Sequence, residues 1–66
     1  MKYKVQATHE GVTDTVSFDA VDNMDATMQA ISVVLNAATE DVVWARGEVT
    51  LVDGNGRVLH RMEAKG

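Results

Sequence analysis

The side chains best suited to acid–base or metal chemistry in this chain are two histidines, His9 and His60. A catalytic reading needs one of them beside a nucleophile or a carboxylate in a cleft, or in a cluster with metal-ligand spacing. His9 stands next to the turn signal Glu10-Gly11, and His60 falls inside an alternating run; neither belongs to a His-Glu-x-x-His motif. Asp53-Gly54-Asn55-Gly56 has the opening of a calcium loop but lacks the later ligands and the closing glutamate, so it reads as a hairpin turn. Gly54 and Gly56 join two strands, and no helix N-terminus follows them to hold a phosphate. The chain is also too short to enclose easily a pocket of a few hundred Å3, roughly the scale of small-molecule sites. No catalytic, metal or cofactor site is expected, no small-molecule substrate, and the chain reads as a non-enzyme.

Composition narrows the class further. A chain of 66 residues holds one domain, 1–66. It has no cysteine, hence no disulfide framework and no thiolate metal site, which fits a reducing compartment. Small domains without such staples often gain stability by associating, and a homodimer is expected on that ground. Met1-Lys2-Tyr3-Lys4-Val5-Gln6 lacks the apolar stretch of a signal peptide. The longest uninterrupted apolar run, Val42-Val43-Trp44-Ala45, falls far short of the ~20 residues that span a bilayer. A cytoplasmic location follows as an expectation. The net charge of −4 argues against direct nucleic-acid binding. No Lys or Arg occurs between Lys4 and Arg46, a stretch that holds Glu10, Asp14, Asp19, Asp22, Asp25, Glu40 and Asp41.

The elements that carry these residues are legible from periodicity. Lys2–Thr8 and Val12–Ala20 alternate with period 2, and Glu10-Gly11 supplies the turn. A two-residue loop opposes Ala7 with Asp14, Val5 with Val16 and Tyr3 with Phe18, so that apolar residues meet on one face; Asp14 interrupts that face. Asp22 or Asn23 caps a helix whose Met24, Thr27, Met28, Ile31, Val34, Leu35 and Ala38 form the expected core face. Ala26, Ala30, Val33 and Ala37 make a further strip beside it, a hint of a second contact. A strand pattern resumes after Glu40-Asp41 and is firm from Ala45 to Val52; the last strand runs from Arg57 to about Ala64. An even-length loop puts Val58, His60 and Met62 on the face of Val49 and Leu51. The fold class is therefore α+β: a ββαββ chain forming a four-stranded, mainly antiparallel sheet with one helix on one face. Strand order 2-1-3-4 is preferred over 1-2-3-4, which needs a parallel central pair.

One helix leaves the other sheet face open to water. Trp44, Val52 and Leu59 are expected there, with Arg46, Arg61 and Glu48 around them. A Trp ringed by Arg has the composition of a binding hot spot, so Trp44, Arg46, Val52, Leu59 and Arg61 are the expected partner-binding residues. The rival reading folds Trp44 over the sheet edge to finish the core near the helix C-terminus.

Several phrases, Tyr3-Lys4-Val5, Thr8–Val16, Asp25-Ala26-Thr27-Met28 and Met62-Glu63-Ala64-Lys65, resemble small uncharacterised proteins encoded by phages of actinobacteria. The ββαββ layout is also similar to that of some anti-CRISPR proteins. The resemblance implies a phage origin and a partner that is a host or defence protein; it carries over no functional residue. The expected function is thus a non-enzymatic protein that binds such a partner through its open sheet face. The alternatives are a homodimeric structural protein and an acidic nucleic-acid mimic.

Overall fold

The computed structural model describes residues 1–63, so the expected end of the last strand at Ala64 lies outside the described residues. The order is β1 (Lys2–His9), β2 (Val12–Asp19), α1 (Asn23–Ala38), α2 (Val42–Arg46), β3 (Glu48–Asp53) and β4 (Val58–Glu63). The strands form one antiparallel sheet in the order β2-β1-β3-β4, an α+β fold with the topology expected from two hairpins joined by a helix.

The first hairpin has the register that its apolar alternation demands: Tyr3 opposes Phe18, Val5 opposes Val16, and Ala7 opposes Asp14. The Tyr3 and Phe18 rings stack with centroids 6.1 Å apart. Glu10 and Gly11 both have positive φ, 50° and 81°, which gives the turn the twist that a two-residue loop between right-twisted strands requires. Pairing of β1 with β3 sets Val5 against Leu51 and Ala7 against Val49, so these residues and Tyr3 share one sheet face and are buried.

At the second hairpin, Asp53 takes over the turn. Its Oδ1 accepts the N–H groups of Asn55 and Arg57, both at 2.9 Å. Val49 opposes Met62 and Leu51 opposes His60, as an even-length loop requires, but the register shifts between Leu51 and Val52. Val52 then opposes Val58. The irregularity corrects two expectations at once: Leu59, placed on the open face by strict alternation, packs against the core, and Val58, expected on the core side, is exposed.

Two further expectations are corrected. The segment 42–46 is a short helix, not the start of a strand. The Asp41 carboxylate accepts the Val43 N–H at 3.0 Å and so caps it, and Gly47 closes it with a bond from its N–H to the Val43 carbonyl. Trp44 thereby leaves the sheet pattern and is buried, 2% exposed, in the core with Tyr3, Val5, Leu51 and Ala30. The second correction concerns the facing of α1. Ala26 and Ala30 are its fully buried residues, and Val33, Val34, Ala37 and Ala38 pack partly against the core. Ile31 and Leu35, expected in the core, are exposed. The two corrections have one cause. Helix α2 packs on both α1 and β1, and Trp44 fills core volume that large α1 side chains would otherwise need. The helix face turned inward is then the small one, because interiors tolerate no surplus volume.

Candidate interaction surface

Helix α1 is set by its N-terminus. Asp22 is the cap: its Oδ1 accepts the Asp25 N–H at 2.8 Å. Asp25 returns the favour through Oδ2, which accepts the Val21 N–H at 3.0 Å and the Gln29 side-chain amide at 3.1 Å. The Tyr3 hydroxyl donates to Asn23 Oδ1 at 2.8 Å and ties the helix start to β1. These bonds fix both where α1 begins and which way it faces.

With Ala26, Ala30, Val33 and Ala37 on the sheet side, Met24, Met28, Ile31 and Leu35 must point away. Each precedes one of those inward residues by two positions, about 200° around a helix of 3.6 residues per turn. They are spaced by four, three and four residues, the a/d spacing of a heptad seam. Val21 is 80% exposed, Met24 75%, Met28 66%, Ile31 45% and Leu35 66%. Lone exposed apolar residues are ordinary, whereas four large ones on one helix face form the kind of patch that marks a contact surface.

The electrostatic frame of this ridge is one-sided. Asp25 is the one ionisable side chain between Asn23 and Ala38. Asp22 and Asp25 stand at the N-terminal end, and the exposed Glu40 and Asp41 stand just past the C-terminal end. The middle of the ridge carries no charge, and both ends are acidic.

The residues expected to bind a partner do not come together. Trp44 is in the core, and Leu59 lies at the core's edge. Arg46 is exposed at the end of α2. Val52 and Arg61 do occupy the open sheet face, where Val52 is 6% exposed and Arg61 meets Glu48 at 3.5 Å. Apart from Val58, which pairs with Val52, the rest of that face is polar, formed by Lys4, Gln6, Thr8, Thr15 and Ser17 in register with Thr50 and Val52. The apolar surface assigned to the sheet from sequence therefore lies on the helix instead. Its signal was present as two apolar strips on one helix, only one of which a sheet can cover.

His9 and His60 sit in different strands, β1 and β4, with β3 between them. Among the described residues, no group of three His, Cys, Asp or Glu side chains is placed to hold a metal ion. Two open depressions, of about 230 and 340 Å3, flank the second turn near Lys2, Tyr3, Asp53 and Gly54. Among the described residues, no helix is long and apolar enough to cross a membrane. In comparisons with known proteins, no family model matches this chain, and no curated protein or solved structure matches it.

Proposed function

We propose that this chain is a non-enzymatic binding protein that docks on another protein through the outward face of α1. The observation that carries this reading is the ridge of Met24, Met28, Ile31 and Leu35, 45–75% exposed at heptad spacing. Burying apolar surface contributes roughly 25 cal/mol per Å2 before association costs are subtracted, and this ridge brings together four large apolar side chains that the fold leaves exposed. The resemblance to small phage proteins supports a host or defence protein as the partner. The open sheet face, polar apart from Val52 and Val58, is the weaker candidate.

Site-specific photo-crosslinking in cells tests the reading. A photoreactive residue at Met28 should give a discrete protein adduct, and one at Thr15 on the open sheet face should not. Adducts from Thr15 alone would return the interface to the sheet.

A further inference from the structure

Resting on that reading, the geometry points to the occupant of the α1 face: an amphipathic helix of another protein with Lys or Arg at both ends of its apolar stripe. Shape gives the first half of this statement. A ridge with three-four spacing along a helix accepts the side chains of a second helix between its own. The 16 residues of α1 extend for about 24 Å, enough for two heptads. Two of the four ridge residues are methionines, whose flexible side chains adapt to a partner's surface.

Charge gives the second half. Neutral Thr27, Ser32 and Asn36 flank the middle of the ridge, so the central contact does not discriminate by charge. Discrimination rests with the ends, where Asp22 and Asp25 stand at one and Glu40 and Asp41 at the other. A second copy is the poorer fit. An antiparallel pair sets Asp22 and Asp25 against Glu40 and Asp41, and a parallel pair sets each acid beside its own kind. No Lys or Arg lies anywhere from residue 5 to residue 45 to relieve this, and each copy carries a net charge of −4. An anionic bilayer is disfavoured for the same reason, since helices that lie in such interfaces carry cations on their polar face.

Two synthetic helical peptides of about 18 residues with one identical leucine–isoleucine heptad stripe test the inference, one ending in lysine pairs and the other in glutamate pairs. Binding to the whole chain is followed by fluorescence anisotropy. The lysine peptide should bind about tenfold more tightly at low salt, with the gap closing as salt rises. Glu40→Lys, at an exposed residue outside the caps, should narrow that preference. Met28→Gln with Leu35→Gln should abolish binding while circular dichroism and melting stay as in the wild type. Equal binding of both peptides overturns the basic partner. If neither peptide binds and the protein is a dimer that the glutamine pair dissociates, a second copy is the occupant: the α1 interface stands and this inference falls. If neither binds and the glutamine pair changes nothing in oligomeric state, both fall.

Discussion

The indole N–H of Trp44 donates a 2.8 Å hydrogen bond to Oδ2 of Asp14, thirty residues earlier in the chain. This single contact links the short helix α2 to the edge strand β2. It also accounts for the one carboxylate on the inward face of that strand. Asp14 occupies the position where alternation calls for an apolar residue, and it is there to satisfy a donor that a buried Trp brings with it.

Removing that acceptor should therefore cost more than an exposed carboxylate ordinarily would. Asp14→Ala leaves the indole N–H without its partner, and about 1–3 kcal/mol of stability should be lost. Asp14→Asn keeps an acceptor oxygen in place and should lose less. Urea unfolding followed by Trp44 fluorescence measures both. Equal stability of wild type and Asp14→Ala would mean that the bond contributes nothing.

Gly47 is fixed by proximity, not by backbone angle. Its φ of −81° suits any residue. A Cβ there, however, would run into the carbonyl oxygens of Val43 and Thr8, both backbone atoms that cannot swing aside. Gly47→Ala should destabilise the fold by about 1–3 kcal/mol, the range for overpacking. Because the clash lies where α2 meets β1, thermal melting should show the loss. An alanine variant that melts with the wild type would place the α2–β3 junction elsewhere.

Glu10 offers the opposite opportunity. It adopts φ = 50° ahead of Gly11 at 81°, a pair that favours Asn-Gly over Glu-Gly. Glu10→Asn should raise stability by roughly 0.4–1 kcal/mol, in the range found when a residue is matched to its native backbone conformation. A fall in the urea midpoint would contradict the turn geometry.

How much of this could be read from the sequence depends on whether a feature is local. The first hairpin could, because a two-residue turn and two alternating runs admit one register that buries apolar against apolar. Joining two hairpins antiparallel favoured the strand order over its one rival, and Asp22 or Asn23 marked the helix start by its chemistry, with Asp22 the cap in the structure. The facing of α1 could not. Met24-Met28-Ile31-Leu35 and Ala26-Ala30-Val33-Ala37 both recur at helical spacing. Hydrophobicity alone favours the bulkier strip as core, while the structure selects by volume. That volume is set by Trp44, whose helix was hidden because Val42-Val43-Trp44-Ala45 is a short β-branched and aromatic run that fits a buried strand equally well. One mistaken element thus moved Trp44 onto the sheet face and rotated the expected core face of α1, of which Val34 and Ala38 do pack inward while Met24, Met28, Ile31 and Leu35 are exposed. The register shift at Leu51/Val52 has no local sequence mark at all, and Leu59 was misplaced with it.

A pair of substitutions on α1 separates the two facings directly. If Ala30, 1% exposed, lies against the sheet, then Ala30→Leu must force three extra carbons into a filled space, at a cost of about 1–3 kcal/mol. If Leu35 is 66% exposed, Leu35→Ala removes little buried surface and gains slightly in helix propensity, so stability should stay within about 0.5 kcal/mol of the wild type. The facing read from hydrophobicity alone predicts the reverse, a loss of about 2–5 kcal/mol for Leu35→Ala and near-neutrality for Ala30→Leu. Differential scanning calorimetry of the two variants gives opposite orders of melting temperature for the two arrangements. The measurement is best made on dilute protein, because self-association through the outward face would add stability to the wild type that Leu35→Ala removes. A concentration-independent melt in which Leu35→Ala is the more damaging change would bury the Met24–Leu35 ridge and leave α1 with no surface to offer a partner.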